Sequence, residues 1–329
     1  MLYYFQMKFL LKKYYIFIIV AVLFCAGFAA AAVKQHIRAG NLKENAFSAQ
    51  EQDRQIEEFQ AKYEQKLTAK DESQIQASSI AKDENPPYRR IYFKPGGIPV
   101  LMYHYVGSLP PNADAIRKDL TVSAENFSAQ MDYLAQSGYR TITTARLYNY
   151  LSGKSNLPPK PIVITLDDGH ADAFKNAVPI LLAHHMVASF AVVSGFVGTS
   201  DYATWQQISR AQSEGMEIIN HSFNHMNFAD PRFTLQYKQD AIAKCVSALQ
   251  GELGDNTKTF VYPYGSYGTD IENLLKADGF DMAFTTNFGE AYKGDNLFEL
   301  PRIRVHGLET LERFRETLGD YGNSKLASR

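Results

Sequence analysis

Cysteine is scarce in this sequence of 329 residues, and neither sign of charge is in excess. The two cysteines, Cys25 and Cys245, are far apart, and Cys25 lies in an apolar segment. This pattern argues against a disulfide framework and against a cysteine-ligated metal site. With 34 basic and 35 acidic side chains, the net charge is −1. Because the chain lacks the basic field that nucleic-acid binding needs, we expect no nucleic-acid partner.

Near its start the chain contains a long run without charge. No charged residue occurs from residue 14 to residue 33, and lysines precede the run. A run of about 20 residues can cross a bilayer as a helix, with the lysines on the cytoplasmic side. We therefore predict that residues 1–33 form a signal or membrane anchor and that the rest of the chain is extracytoplasmic. Small residues at 29–32 leave cleavage and secretion open as the alternative.

Residues 34–95 are dominated by Glu, Gln, Lys, Ala and Ser. These residues include strong helix formers, but the apolar positions are too sparse to bury a core. We expect a stalk or linker, helical or flexible, that ends near the prolines at 86 and 87. A coiled coil is the alternative, although a sustained heptad is missing.

Residues 96–329 alternate short apolar runs with amphipathic stretches, which predicts an α/β domain of parallel strands joined by helices. Three helical stretches end on a glycine just before the next strand, and Thr269 to Glu272 form a capping-box pattern. Eight strands, about what a (β/α) barrel requires, are predicted at Pro99–Tyr103, Arg140–Thr143, Ile162–Leu166, Ser189–Val193, Glu217–Asn220, Thr259–Tyr262, Met282–Thr285 and Ile303–Val305.

Polar residues follow the ends of several of these strands. In a barrel, such positions gather on one rim, where barrel enzymes place their chemistry. The residues at these positions are His104, Asp167, Asp168, His221, His225, Tyr264 and His306.

The adjacent aspartates and the two histidines spaced four apart indicate a metal hydrolase. One carboxylate and two imidazoles can hold a divalent metal with positions left open, and a second carboxylate can accept a proton from water. Each pair alone is less specific. An aspartate pair after a strand is often a helix cap, and histidines four apart also occur on solvated helices.

Three segments resemble the motifs of the polysaccharide deacetylases of carbohydrate esterase family 4. Thr165-Leu166-Asp167-Asp168-Gly169 is similar to the first motif, and His221-Ser222-Phe223-Asn224-His225 matches the second. Phe260-Val261-Tyr262-Pro263-Tyr264-Gly265 is similar to the third. The resemblance covers about 98–306, and it implies a distorted (β/α) barrel that removes N-acetyl groups from a polysaccharide.

Two departures from the family pattern carry information. Val261 stands where the family has an arginine that orients the catalytic aspartate, and the final Leu-x-His motif is unclear. Instead, His104 precedes the first motif, as in exported poly-N-acetylglucosamine deacetylases, where this histidine is the acid. We therefore prefer His104 to His306 as the acid. We also predict that Arg302 supplies the missing guanidinium beside Asp167, although it precedes the predicted last strand.

The resemblance implies a role for each residue. Asp168, His221 and His225 would hold the metal, and Asp167 would be the base. The backbone N–H of Tyr264 would stabilise the oxyanion, and His104 would protonate the leaving amine. Zinc suits this mixed ligand set best, and cobalt, nickel and iron are the alternatives.

The expected substrate is a surface polymer of N-acetylglucosamine, with poly-N-acetylglucosamine first, peptidoglycan second and chitin oligomers third. The expected partners are this polymer, the membrane, and exopolysaccharide or cell-wall machinery. A membrane-tethered carbohydrate-binding protein without turnover remains open, as does a metal-dependent amidase for small nitrogen compounds.

Overall fold

The computed structural model describes residues 95–255 and 257–319, and these contain a closed barrel of parallel strands surrounded by helices. The strands of this part are β1 (Val100–Tyr103), β2 (Tyr105–Val106), β3 (Thr121–Val122), β4 (Arg140–Thr141), β5 (Pro161–Leu166), β6 (Ser189–Val192), β7 (Glu217–Asn220), β8 (Thr259–Val261), β9 (Met282–Phe288) and β10 (Leu300–Arg304). Seven of them close in the order β1, β10, β9, β8, β7, β6, β5, because β5 pairs again with β1. β2 and β3 form a separate small pair.

Helices follow most of the barrel strands and cover the barrel from outside. They are α1 (Ala115–Leu120), α2 (Ala124–Gln136), α3 (Thr144–Leu151), α4 (Val178–Ala183), α5 (Trp205–Ser213), α6 (Leu235–Leu253), α7 (Thr269–Ala277) and α8 (Leu311–Thr317). A short π-helix at Ala173–Ala177 leads into α4, and short 3₁₀ turns lie at Ser194–Phe196 and Pro263–Gly265. The predicted (β/α) barrel is confirmed.

Local sequence determines where many of these helices begin and end. Ser123, Thr143, Thr234 and Thr310 each accept a hydrogen bond from a backbone N–H of the first helical turn. Such caps satisfy donors that the helix itself leaves unpaired. At the other end, the predicted glycine stops Gly138, Gly215 and Gly279 all have positive φ, as a left-handed helix terminus requires.

The predicted strand at Arg140–Thr143 is too long, and the closed barrel has seven strands instead of eight. β4 pairs only at Arg140 and Thr141, beside the start of β5. Further along, the same edge of β5 pairs with β6, so β4 fills only the beginning of that gap. Thr143 caps α3, and the chain therefore leaves the sheet to begin a helix.

Apolar residues form separate layers inside and outside the barrel. Period-two alternation sends successive side chains of each strand to opposite faces. The outer faces of the strands pack against α2, α5 and α6, for example through Leu101, Ile164 and Ile218. Each of the seven barrel strands contributes to the interior layer, for example through Val100, Val163, Ala191, Ile219, Val261, Phe284 and Leu300.

Two predicted segments lie outside the described residues: the anchor within 1–33, and the stalk up to residue 94. Within 95–255 and 257–319, none of the helices combines the length and apolar character needed to span a bilayer.

Candidate metal centre and active site

The site lies above the apolar interior layer, at the C-terminal ends of the barrel strands. Val163 belongs to that layer, and alternation places Thr165 and then Asp167 on the same inner face. Ile219 and His221 are related in the same way, as are Leu300 and Arg302. The barrel therefore brings residues from distant parts of the chain to one place.

Asp167 and Arg302 form a buried bidentate ion pair. Arg302 Nη1 donates to Asp167 Oδ1 at 2.8 Å, and Nη2 donates to Oδ2 at 2.7 Å. Arg302 is fully buried, and it also donates to the carbonyl of Thr285 and to the hydroxyl of Thr165. Burial alone would raise the pKa of Asp167, but the charge and hydrogen bonds of Arg302 outweigh it and lower that pKa. Asp167 is therefore held ionised and oriented.

Arg302 reaches this position because its strand begins earlier than the sequence indicates. β10 starts at Leu300, so Arg302 lies inside the strand and points into the barrel. The pairing of β10 with β9 shifts register between Leu300 and Arg302, which accommodates Pro301 and its missing N–H. Val261, where the family has an arginine, packs in the interior layer instead.

Asp168 faces the two histidines of the second motif. Its Oδ1 lies 3.2 Å from Nε2 of His221 and 3.1 Å from Nε2 of His225. One donor atom from each of these three residues lies within 4.8 Å of the others. Burial would raise the pKa of Asp168, but the charge of His225 and hydrogen bonds from imidazoles lower it well below its usual value. The donor set and its spacing fit a divalent metal such as zinc.

The second ring nitrogen of each histidine is also engaged. Nδ1 of His221 donates to the carbonyl of Val261 at 2.8 Å, and Nδ1 of His225 lies 2.9 Å from the hydroxyl of Tyr264. The carbonyl of Val261 can only accept, so it fixes the tautomer of His221, and both contacts orient the rings with Nε2 towards Asp168.

Backbone strain is concentrated at the site. Six non-glycine residues in the described ranges have positive φ, and four of them belong to the site loops: Asp168 at 75°, Ser222 at 67°, His225 at 51° and Tyr264 at 60°. A left-handed conformation costs about 1–3 kcal/mol at each such residue and persists only where its surroundings enforce it. Ser222 helps to hold the left-handed conformation of His225, because its hydroxyl accepts a hydrogen bond from the backbone N–H of His225 at 3.1 Å.

Tyr264 lies in the 3₁₀ turn after β8, and its side chain is 40% exposed. The next residue, Gly265, has a φ of 66°, and an added Cβ there would lie 2.1 Å from the hydroxyl of Thr286. Only glycine fits this close approach to β9. The turn therefore holds Tyr264 beside His225, with the ring centroids 4.5 Å apart.

His104 continues the inner face of β1, on which Val100 lies, and is half-buried. Burial lowers the pKa of His104 to about 4, although the charges of Asp168 and Asp167 act in the opposite direction. The imidazole is therefore neutral at pH 7 until further negative charge develops nearby. His306 is not part of this group, because it is exposed and its Nδ1 contacts Asp119 at 2.8 Å.

One histidine of the site was not predicted from the sequence. His170, two residues after Asp168, is 3% exposed, and its Nε2 lies 3.2 Å from Asp168 Oδ2. Tyr105 and Tyr202 enclose its ring. Proximity to the aspartate pair was the available signal, but the aromatic contacts come from distant segments.

Comparison with known proteins agrees with the motifs. The family model for polysaccharide deacetylases matches residues 154–283. YxkH of Bacillus subtilis is 27% identical over 212 residues, which cover 64% of this chain and 72% of that protein. The poly-beta-1,6-N-acetyl-D-glucosamine N-deacetylase of Escherichia coli K12 is 26% identical over 247 residues, which cover 62% of this chain and only 36% of that protein.

Among solved structures, the deacetylase PplD of Streptococcus pyogenes in complex with acetate superposes with a TM-score of 0.63 and 26% identity. The match covers 68% of this chain and 99% of that one, so nearly the whole of that structure corresponds to the barrel. The chain thus contains a polysaccharide deacetylase domain, which the family model matches over residues 154–283 of the barrel.

Proposed function

We propose that this protein is a metal-dependent deacetylase that hydrolyses N-acetyl groups of a surface polymer containing N-acetylglucosamine, with poly-N-acetylglucosamine as the favoured substrate. One observation carries the proposal: a candidate metal site and a separate carboxylate that can act as a base lie together at the C-terminal rim of the barrel. Asp168, His221 and His225 present three metal-ligand atoms together, while the adjacent Asp167 is held away from them by Arg302.

A divalent metal held by these three residues would polarise the acetyl carbonyl and lower the pKa of a water molecule. Asp167 accepts the proton as the water attacks the carbonyl carbon. Its ion pair with Arg302 keeps it deprotonated before the reaction and fixes the direction of its oxygens.

The backbone N–H of Tyr264 donates to the oxyanion that develops on the carbonyl oxygen. A well-placed donor of this kind contributes about 3–4 kcal/mol to catalysis. The developing negative charge also favours the protonated form of His104, which takes up a proton from solvent and gives it to the amine nitrogen as the C–N bond breaks. The products are acetate and a glucosamine unit with a free amine.

The polymer is proposed from two observations. His104 stands before the first motif, as in exported poly-N-acetylglucosamine deacetylases, and the Escherichia coli relative carries that activity in its name. The uncharged run at 14–33 and the polar segment at 34–95 support an extracytoplasmic domain tethered to the membrane, near exopolysaccharide or cell-wall machinery.

Acetate release tests the proposal and separates the substrates. Wild-type protein is incubated with poly-N-acetylglucosamine, peptidoglycan or chitin oligomers, before and after chelation and after zinc is restored. We expect the fastest release from poly-N-acetylglucosamine, loss on chelation and recovery with zinc. Faster release from peptidoglycan would reassign the substrate.

Asp167→Asn distinguishes an enzyme from a carbohydrate-binding protein. In an enzyme, this variant loses turnover and retains sugar and metal binding, because Asp167 is not a metal ligand. The matched control is Asp132→Asn, a change at an exposed aspartate paired with His184 outside the site, which should leave turnover unchanged. No acetate release from any polymer by the zinc-loaded wild type would contradict the proposal.

A further inference from the structure

His170 is clamped between aromatic rings beside Asp168. On one face, the ring of Tyr105 stacks at a centroid distance of 3.7 Å and an interplanar angle of 19°. On the other face, the ring of Tyr202 lies at 4.8 Å and 32°. With an exposure of 3%, the imidazole has little freedom to rotate or to leave this position.

The two tyrosine rings that enclose His170 are themselves packed against other side chains. The guanidinium of Arg117 covers the far face of the Tyr105 ring at 3.3 Å from its centroid, and Phe196 packs on Tyr202 at 5.0 Å. The backbone is fixed as well, because Ala171 N–H donates to the carbonyl of Asp201 at 2.9 Å. So much packing around one imidazole indicates that its position matters.

The two oxygens of Asp168 have different partners. Oδ1 lies against His221 and His225, whereas Oδ2 lies 3.2 Å from Nε2 of His170. A carboxylate held at one oxygen in this way presents the other oxygen in a fixed direction. His170 therefore contacts a candidate metal ligand from the side opposite to the other two histidines.

The tautomer of His170 follows from its surroundings. Its Nδ1 is buried and has no hydrogen-bond partner. A proton on Nδ1 would leave a buried donor unsatisfied and would direct the Nε2 lone pair at a carboxylate. A neutral ring therefore carries its proton on Nε2, and this N–H donates to Asp168.

We propose that His170 is a positioning residue that holds Asp168 so that only Oδ1 faces the metal. Clamped by Tyr105 and Tyr202, it donates Nε2–H to Oδ2 and restricts Asp168 to ligation through one oxygen. This inference rests on the proposed metal-dependent function and deepens it.

Two substitutions separate the hydrogen bond from the packing. His170→Phe keeps an aromatic ring between the tyrosines and removes the donor, whereas His170→Gln removes the ring and can offer an amide N–H near the position of Nε2. Zinc affinity is measured for metal-free protein by competition with a chelator, and the cobalt-loaded proteins are compared by visible absorption.

We expect His170→Phe to lower zinc affinity about 10- to 100-fold, as loss of a partner of a metal ligand typically does, and to change the cobalt spectrum. His170→Gln should restore most of the affinity and the wild-type spectrum. Wild-type affinity and spectrum in His170→Phe would overturn the proposal. His184→Phe is the matched control, since this histidine contacts Asp132 outside the site and should leave zinc affinity unchanged.

If His170→Phe does not fold, His170→Asn replaces it. Both amides remove the ring, but the shorter asparagine cannot reach Asp168 as glutamine can. Tighter zinc binding by His170→Gln than by His170→Asn supports the proposal, and equal affinities overturn it. The wild type reports separately on the proposed function, because failure of wild-type protein to bind zinc would refute the metal site itself.

Discussion

Carboxylates lie at both ends of the barrel, but their partners differ. At the N-terminal end, Glu217 begins β7 and accepts hydrogen bonds from the backbone N–H groups of Thr144 and Ala145 and from the hydroxyls of Thr144 and Ser189. At the C-terminal end, Asp167 pairs with a guanidinium and Asp168 contacts imidazoles.

The contrast shows how the same functional group serves structure or chemistry. Glu217 caps the first turn of α3, where neutral donors and the helix dipole favour a negative charge. Its oxygens accept hydrogen bonds from the start of α3 and from β6, which is a neighbour of β7 in the barrel. Asp168 contacts groups that can share a metal, and its loops carry the backbone strain that Glu217 lacks. Substitutions at the two ends should therefore separate activity from stability.

The largest effect is expected at His104. His104→Gln removes the proposed acid, and amide hydrolysis should fall about 10²- to 10⁴-fold. An aryl acetate ester, whose leaving group needs no proton, should be hydrolysed with a much smaller loss. Steady-state kinetics with both substrates measures the difference.

His306→Gln is the matched control, because this exposed histidine contacts Asp119 instead of the site. It should leave amide hydrolysis unchanged. An equal loss of amide and ester hydrolysis in His104→Gln would contradict the acid role.

The second largest effect is expected at the buried ion pair between Arg302 and Asp167. Arg302→Met leaves the carboxylate of Asp167 buried without its partner, which should lower the free energy of unfolding by about 3–5 kcal/mol. Turnover should fall as well, because Asp167 loses its orientation. Urea unfolding measures the first effect and acetate release the second.

Arg304→Met provides the comparison, because Arg304 contacts Asp119 at 3.4 Å at the surface. This change should cost about 1 kcal/mol or less. If Arg302→Met lowered the free energy of unfolding no more than Arg304→Met does, the buried ion pair would contribute no more to stability than the surface pair.

The smallest effect is expected at Glu217. Glu217→Gln places an amide NH₂ among backbone and hydroxyl donors, and the free energy of unfolding should fall by about 1–3 kcal/mol. The folded enzyme should keep the wild-type kcat/KM, since Glu217 is at the opposite end of the barrel. A large loss of kcat/KM without a loss of stability would break the contrast between the two ends.

Much of the fold follows from local sequence. The succession of apolar runs and amphipathic stretches predicted parallel strands joined by helices, and glycine predicted helix ends such as Gly138 and Gly215. The capping box at Thr269 was wrong in detail, because α7 begins at Thr269 itself and Gly268 occupies the cap position. Helix boundaries depend on the geometry of the incoming loop, which residue type alone does not determine.

The parts of the site that sequence could not supply depend on long-range packing. The predicted last strand began at Ile303, after Arg302, whereas β10 begins at Leu300 and a register shift accommodates Pro301 within it. No spacing in the sequence indicated that His170 belongs to the site, because Tyr105 and Tyr202 reach it from other loops. Residue types alone predicted a site of two carboxylates and two imidazoles, whereas the assignment of Asp168 to the metal and of Asp167 to the base came only from the motif resemblance.

Zinc titration of metal-free Asp167→Asn and Asp168→Asn tests the central claim most directly. The two aspartates are adjacent, yet only Asp168 faces the histidines. We expect Asp167→Asn to bind a single zinc with nearly wild-type affinity and Asp168→Asn to lose on the order of tenfold or more. Equal affinities in the two variants, or the reverse order, would contradict the division of roles between the two carboxylates.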